Sequence, residues 1–198
     1  MKSWIEAYLK DQAELALKLP IGEIQVWIEL LRKSREKEAN IFACGNGGSA
    51  ANCSHFAVDL GKGASGLNAG KIDLTMSRST KRFRVMSLTD NTPWMTALGN
   101  DCSYDDIFVE QLKNYGRPGD LLIAVSVSGN SPNLVKAIQW ANSNRMITLV
   151  LVGNRKESQL SKLAQHVIRV ESSHYGRVED SQMHVLHMLC YAFIENVG

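Results

Sequence analysis

The sequence predicts an α/β fold, a three-layer αβα sandwich in which a parallel sheet of about five strands lies between two layers of helices. Short apolar runs alternate with amphipathic stretches from residue 40 onward, and this alternation is typical of doubly wound folds. The run at 120–125 is almost continuously apolar, as expected of a parallel strand buried on both faces. Hydrophobic residues make up 44% of the 198 residues, a share that supports a packed core and excludes global disorder.

The first 38 residues predict two amphipathic helices that precede any strand. Two apolar stripes at helical spacing, over residues 5–19 and 24–31, are separated by Pro20. The first helix lies outside the strand–helix alternation, so we expect it to pack on the chain's own core or on another subunit. The length fits one domain, and we expect residues 1–198 to form it, with residues 1–38 as a helical extension in a subunit interface.

From residue 40 onward each apolar run is bounded by turn residues, and the elements follow in order. The predicted strands span 40–44, 84–88, 120–125, 146–152 and 166–170. The predicted helices span 50–60, 94–100, 105–115, 132–144, 158–165 and 178–196. Gly, Ser and Lys are enriched over 61–81, which predicts a loop there.

Composition excludes several classes of protein. Lys and Arg number 22 and Asp and Glu number 20, a balance that argues against a nucleic-acid partner, and the basic cluster at 78–84 has only Phe83 as a stacking platform. The four cysteines lack CxxC spacing and are too few to staple a domain of this length, so we expect reduced thiols. The first 20 residues lack the unbroken apolar stretch of a signal peptide, and no apolar window reaches the length of a membrane span. We therefore expect a soluble cytoplasmic protein with no membrane partner.

Two strand-to-helix turns have the composition of an anion site. The first is Gly45-Asn46-Gly47-Gly48-Ser49, and the second is Ser126-Val127-Ser128-Gly129-Asn130-Ser131. In an open parallel sheet, ligands bind beyond the carboxyl ends of the strands. Glycines let the backbone N–H groups approach a ligand closely, and hydroxyls at a helix N-terminus are donors that suit a phosphate.

The simplest alternative is that these Ser and Asn residues only cap helices. Two such loops at strand ends outweigh that alternative, although one alone would not. Neither loop matches GxxxxGK[ST] or GxGxxG, which disfavours a nucleoside triphosphate or a dinucleotide. The sequence therefore predicts a small molecule that carries one phosphate.

A second group of residues is titratable. His55 and Asp59 lie four apart on one predicted helix face, where the simple alternative is a surface ion pair. On the last helix Glu179, His184 and His187 are candidates, and the apolar neighbours of His187 favour a buried core histidine as the alternative. Such groups bind Zn²⁺ or transfer protons near neutral pH. Glu179 and His187 lie about 12 Å apart along an ideal helix, so the metal is weakly supported by spacing.

Taken together, these segments resemble the sugar isomerase (SIS) domain family and, more narrowly, its phosphoheptose isomerases. The segments that carry the resemblance are Cys44-Gly-Asn-Gly-Gly-Ser49, His55-Phe-Ala-Val-Asp59-Leu, Ser87-Leu-Thr-Asp90, residues 99–108, Arg117-Pro-Gly-Asp120 and Ser126-Val-Ser-Gly-Asn-Ser131 with Asn133-Leu-Val-Lys136-Ala-Ile138. The resemblance covers nearly the whole chain, and the set is more specific than any single motif.

The resemblance implies an isomerase that interconverts sedoheptulose 7-phosphate and heptose 7-phosphate through an enediol(ate). It implies a homotetramer whose active sites lie between subunits. It implies that the substrate is bound by Asn46, Gly47, Gly48, Ser49, Asp90, Asn91, Ser126, Val127, Ser128 and Ser131. It implies a catalytic pair, with Asp59 as base and His187 as acid or with these roles exchanged. It also implies one zinc ion per subunit, held by His55, Asp59, Glu179 and His187.

Three positions depart from the family pattern. Asp59 stands where the family has a glutamate, Glu179 where it has a glutamine, and Val127 where it has a threonine. A base that is shortened by one methylene can lose a rate factor of about 10² through misplacement. The sequence therefore leaves two alternatives open: a non-catalytic phosphosugar-binding or replication-regulatory SIS protein, and an isomerase for a different phosphosugar.

Overall fold

The structure is a computed structural model of the chain, and it describes residues 1–65, 81–155 and 157–195. Helices and strands follow one another in the predicted order. The strands are β1 Asn40–Gly45, β2 Arg84–Ser87, β3 Leu121–Ser126, β4 Ile147–Gly153 and β5 His166–Val170. The α-helices are α1 Lys2–Leu17, α2 Ile21–Lys37, α3 Gly48–Gly61, α4 Thr92–Asp101, α5 Val109–Tyr115, α6 Pro132–Ser143, α7 Gln159–Leu163 and α8 Tyr175–Ile194.

The five strands form one parallel sheet in the order β2-β1-β3-β4-β5. β1 pairs with β2 on one side and with β3 on the other, so the chain changes direction across the sheet at β1. At such a switch point the loops after the two central strands diverge and leave a crevice, which is where ligands of these folds bind. The predicted fold class is therefore confirmed, and β1 and β3 end at the crevice.

Two apolar cores cover the two faces of the sheet, because successive strand side chains point to opposite faces. On β1, Ile41 and Ala43 pack with Trp27 of α2 and Leu186 of α8. Phe42 and Cys44 belong to the other core, which α5 and α6 close. All six residues of β3 are buried, as its continuous apolar run predicts for a central strand.

Most predicted boundaries agree with the structure to within a few residues. The helix predicted over 105–115 is divided into a 3₁₀ turn at Tyr104–Asp106 and α5. The last helix begins at Tyr175, earlier than predicted, because His174 caps it by accepting a hydrogen bond from the Arg177 N–H at Nδ1 (3.4 Å). Most of the loop predicted over 61–81 lies outside the described residues.

Helix α1 packs against the first turns of α8 through polar side chains. Tyr8 donates to Asp180 (3.1 Å), Gln12 donates to Ser181 (2.9 Å), and Arg177 pairs with Asp11 (2.7 Å). No side chain of α1 is buried, and Trp4 is 65% exposed. Ile5 and Leu9 are also exposed in the described part of this chain, whereas Tyr8, Leu15 and Ala16 are partly covered.

The four cysteines Cys44, Cys53, Cys102 and Cys190 are free thiols, as expected. Among the described residues, no helix has the length and apolar character that crossing a membrane requires.

Candidate active site

The loops after β1 and β3 meet and line one cavity of about 300 Å³. Eight of the predicted substrate-binding residues line it: Asn46, Gly47, Gly48, Ser49, Ser126, Val127, Ser128 and Ser131. Tyr175 and Glu179, from the first turns of α8, complete the wall. The two loops were predicted to lie at neighbouring strand ends, and the pairing of β1 with β3 brings them together.

In the serine loop, residues 126–131, serine hydroxyls accept hydrogen bonds from the loop's own backbone and keep their own protons for a further acceptor. Ser126 Oγ accepts the Gly129 N–H (3.0 Å), and Ser128 Oγ accepts the Asn130 N–H (3.3 Å). A hydroxyl that accepts in this way keeps its own hydrogen for another acceptor. Ser131 occupies the N-cap position of α6, yet its side chain makes no capping hydrogen bond. The capping alternative therefore fails at Ser131, and its hydroxyl is left to meet an anion at the positive end of α6.

Two glycines of these loops have close neighbours where a side chain would begin. Gly129 has φ +66°, and a Cβ there would collide with Ser158 of the next loop. A Cβ on Gly48 would lie 2.6 Å from Oε1 of Glu179. The Glu179 carboxyl therefore lies directly against the first residue of α3, where the helix dipole favours a negative charge.

The glycine loop, residues 45–49, is tied to the first turn of α6 by a pair of amide side chains. Asn46 Nδ2 donates to Asn133 Oδ1 (3.0 Å), and Asn133 Nδ2 donates to Asn46 Oδ1 (3.0 Å). Tyr104 Oη also donates to Asn46 Oδ1 (3.2 Å). On the other side of the loop, Ser49 Oγ donates to Oε1 of the buried Gln182 (3.3 Å).

Asp90 and Asn91, the other two predicted substrate-binding residues, line a separate hollow of about 520 Å³ beside β2. Ser54 and Thr89 donate to Asp90 Oδ1. Asn91 Oδ1 accepts the Trp94 N–H (3.2 Å) and so caps α4. The strand order explains the separation, because β2 and β3 lie on opposite sides of β1.

Three of the four predicted metal ligands form a cluster. Asp59 Oδ2 lies 3.2 Å from His55 Nε2 and 3.6 Å from His187 Nε2. One donor atom from each of the three residues lies within 4.8 Å of the other two. The i, i+4 pair of His55 and Asp59 is present, and His187 adds a group that a simple surface pair does not explain.

His187 is not a buried core histidine, which was the alternative its apolar neighbours favoured. Its side chain is 41% exposed, and its ring packs edge to face against His55 with centroids 5.1 Å apart. Close by, burial and then the charge of Asp59 raise the pKa of the Cys190 thiol. Cys190 therefore stays protonated at neutral pH, and the titratable groups of the cluster are the two imidazoles and the carboxyl.

Glu179 is not a member of this cluster within the described chain, since its carboxyl lies at Gly48 in the cavity. Helices α3 and α8 run side by side in the same direction. Gly48 is near Glu179 at their N-terminal ends, and Asp59 is near His187 about two turns later. The cavity and the imidazole cluster are therefore separated by about 12 Å along α8.

Four residues that line the cavity or bond to its lining have no role predicted from the sequence: Tyr104, Asn133, Tyr175 and Gln182. Gln182 lies three residues after Glu179, a spacing that places two side chains on the same helix face. Asn133 lies two residues beyond the serine loop, in a segment already noted for its resemblance. Nothing in the sequence around Tyr104 indicates its contact with Asn46.

The chain is similar to known phosphoheptose isomerases in both sequence and structure. The sequence model of the SIS domain family matches residues 7–153. A phosphoheptose isomerase from Chromohalobacter salexigens is 36% identical over 84% of this chain and 80% of its own. Phosphoheptose isomerase 1 from Campylobacter jejuni is 32% identical over 98% and 96%. The structure of a phosphoheptose isomerase from Neisseria gonorrhoeae superposes with a TM-score of 0.83 at 26% identity, with 99% of each chain covered. By sequence and by fold, this chain belongs to the phosphoheptose isomerase family of SIS-domain proteins.

Proposed function

We propose that this chain is an aldose–ketose isomerase that interconverts sedoheptulose 7-phosphate and heptose 7-phosphate. The observation that carries the proposal is the single cavity that the glycine and serine loops line together. Its donors are hydroxyls, loop N–H groups and the N-terminus of α6, a set that suits a phosphate monoester. Phosphoheptose isomerases with 32–36% identity support this choice of substrate.

The reaction moves a proton between C1 and C2 of an open-chain sugar, which needs a base and an acid beside a fixed substrate. Asp59 is the proposed base, because its carboxylate is close to two imidazoles. His187 is the proposed acid, which gives a proton to the carbonyl oxygen while Asp59 removes one from the neighbouring carbon. Asp59 then returns its proton to the former carbonyl carbon, and His187 takes the proton from the other enediol oxygen, which becomes the new carbonyl. The phosphate anchor holds the reacting carbons at a set distance from these groups.

The residues of the cluster also fit a divalent metal ion. Two imidazoles and one carboxylate within 4.8 Å are ligands that Zn²⁺ prefers, and three protein ligands leave a position open. His55, Asp59 and His187 would hold the ion, and Glu179 would join them only from another subunit. A bound Zn²⁺ would polarise the oxygens at C1 and C2.

We also propose that the full site is built between the subunits of a homotetramer in the cytoplasm, with residues 1–198 as one domain. The uncovered apolar side chains of α1, which include Trp4 and Leu9, favour packing on another copy. The separation of about 12 Å between cavity and cluster favours it as well, since a neighbouring subunit brings a second set of groups to each cavity.

The test is proton exchange. The purified chain is incubated with sedoheptulose 7-phosphate in D₂O, with and without added Zn²⁺, and the sugar is followed by proton NMR. We expect heptose 7-phosphate to form with deuterium at C2. Sedoheptulose without phosphate is the control, and we expect it to react far more slowly because it lacks the anchor.

A sensor that binds a phosphosugar without converting it is the second candidate. Asp59 favours it, because a carboxyl one methylene shorter than the family's glutamate reaches less far. Firm binding of sedoheptulose 7-phosphate with no deuterium incorporation would establish the sensor. Conversion of a hexose phosphate faster than the heptose would instead identify a different phosphosugar as the substrate.

A further inference from the structure

We propose that Asn133 is a positioning residue, which sets the orientation of the Asn46 amide and thereby fixes the donor that the glycine loop offers to the sugar phosphate. This inference rests on the proposed function, since it concerns the same cavity. Asn133 lies in α6 and is only 1% exposed, so its amide has no water to exchange partners with. Each of its hydrogen bonds is therefore expensive to lose.

The backbone fixes the orientation of Asn133. The N–H of Leu134 donates to Asn133 Oδ1 (2.9 Å) and also to the Ser131 carbonyl oxygen (3.1 Å). A backbone N–H can only donate, so the atom that faces it must be the amide oxygen and not the nitrogen. Asn133 Nδ2 then faces Asn46, and the side chain cannot turn over without placing two donors against each other.

Asn133 in turn fixes Asn46. The oxygen of Asn133 accepts from Asn46 Nδ2 and its nitrogen donates to Asn46 Oδ1, both at 3.0 Å. Tyr104 donates to the same Asn46 oxygen (3.2 Å), which favours the same orientation. A reversed Asn46 would oppose two nitrogens and two oxygens across the pair. The chain of contacts from the Leu134 N–H therefore determines which atom of Asn46 lies where.

The consequence for the cavity is chemical. Asn46 Oδ1 already accepts two hydrogen bonds, whereas one hydrogen of Asn46 Nδ2 meets no acceptor in the described part of the chain. Because Asn46 lines the cavity, the group of its amide that can still bind a ligand there is an N–H donor. An N–H donor suits a phosphate or sugar oxygen, and Asn133 holds the Asn46 amide in the orientation that presents this donor.

A double-mutant cycle tests this role. Asn46→Ala, Asn133→Ala and the double variant are compared with the native chain by KM for sedoheptulose 7-phosphate. We expect each single change to raise KM about tenfold, the value of one well-placed hydrogen bond, with kcat changed less. Because Asn133 acts through Asn46, the double variant should also show about a tenfold rise. A rise of about a hundredfold, or an unchanged KM in Asn133→Ala, would overturn the inference.

Asn142→Ala is the matched control. Asn142 lies at the other end of α6 and also holds a network, since it donates to Leu163 O (2.9 Å) and accepts from Thr148 (2.8 Å). The Asn142→Ala variant should lower the melting temperature about as much as Asn133→Ala does, while its KM stays at the native value. If Asn133→Ala does not fold, Asn133→Asp replaces it in the cycle, because it keeps an oxygen for the Leu134 N–H and loses only the donor to Asn46 Oδ1. That change should raise KM about threefold in the native chain and not at all beside Asn46→Ala; an equal rise in both backgrounds would contradict the inference.

The native chain separates the two proposals. If it neither binds nor converts sedoheptulose 7-phosphate, the proposed function has failed. If it does so and the cycle is additive, the proposed function stands and the positioning role of Asn133 has failed.

Discussion

The two ends of the parallel strands, here called the amino edge and the carboxyl edge of the sheet, use similar loop donors for structure at one and for the proposed phosphate binding at the other. At the amino edge the carboxyl of Asp120 takes three donors: the Asn40 N–H (2.8 Å), Asn40 Nδ2 (3.1 Å) and the Arg117 N–H (2.9 Å). Asp120 is 4% exposed. At the carboxyl edge the hydroxyl protons of the serine loop have no protein acceptor in the described chain, and Ser131 does not cap α6.

The size of the cavity does not distinguish these two edges. A hollow of about 250 Å³ lies at the amino edge beside Arg84 and Arg117, close in size to the cavity of about 300 Å³ at the carboxyl edge. The difference is that the protein supplies its own anion at the amino edge, where Asp120 satisfies the loop donors. A site for an external anion is a place where the loop donors have no such internal partner.

The largest effect is expected in His187→Ala, which removes an imidazole of the cluster that lies about 12 Å along α8 from the cavity at the carboxyl edge. Loss of an acid–base group costs about 10²–10⁴ in rate, so we expect kcat to fall about 10³-fold while affinity for sedoheptulose 7-phosphate stays nearly native. Turnover and calorimetric binding are measured in parallel. His184→Ala is the control, because His184 lies one turn earlier on α8 and is outside the cluster. An equal loss of binding and turnover in His187→Ala would argue against its catalytic role.

At the amino edge the expected effect is on stability alone. Asp120→Ala leaves the Asn40 and Arg117 N–H groups without their acceptor, which should lower the free energy of unfolding by about 2–3 kcal/mol. Urea unfolding gives this value, and KM should remain native. If KM rose and stability did not change, the contrast between the two edges would be wrong.

A smaller effect is expected at the contact of Gly48 with Glu179. In Gly48→Ala the added methyl would displace the Glu179 carboxyl, which lies 2.6 Å from the new atom, and we expect KM to rise about tenfold with little change in stability. Gly99→Ala in α4 is the control, because a methyl there meets no atom within 4 Å. A native KM in Gly48→Ala would show that this contact does not contribute to binding.

The smallest effect concerns the thiols beneath the glycine loop. Burial raises the pKa of Cys44 and Cys53 above the ordinary value of 9.0. Both stay protonated in the folded chain, and the thiolate is the reactive form. At pH 8 iodoacetamide should label the exposed Cys102 in the native chain and the buried thiols only after unfolding.

The same shift predicts how stability depends on pH. Because the pKa of these thiols is higher in the folded chain, the unfolded chain loses the thiol protons at a lower pH. The free energy of unfolding therefore keeps its full value below pH 9 and declines above it. Urea unfolding at pH 7 and pH 10 measures the decline. Rapid labelling of Cys53 at pH 8, or stability that increases with alkaline pH, would contradict the burial of these thiols.

The strands and the two loops could be predicted because their signals are local. A run such as 120–125 is apolar throughout since both faces of a central strand are buried, and glycines and serines mark where it ends. Which strand ends meet depends on the strand order. Asp90 follows β2 on the far side of β1 from the serine loop, and no local signal separates it from the other candidates.

Helix α8 shows a second reason why part of the site could not be predicted from the sequence. His187 has apolar neighbours in sequence, but Leu186 and Leu189 are buried while His184, His187 and Tyr191 occupy a more exposed face at spacings of three and four. Residues adjacent in a helical sequence point in different directions, so neighbours say little about one side chain. The position of Glu179 against Gly48 likewise depends on the packing of α3 on α8, which the sequence does not encode locally.

The most direct test of the central claim is a crystal structure with sedoheptulose 7-phosphate bound. We predict the phosphate in the cavity between the two loops, within hydrogen-bonding distance of Ser128 and Ser131 and at the N-terminus of α6. A phosphate found instead in the hollow at the amino edge beside Arg84 and Arg117, or in the hollow that Asp90 and Trp94 line, would contradict it.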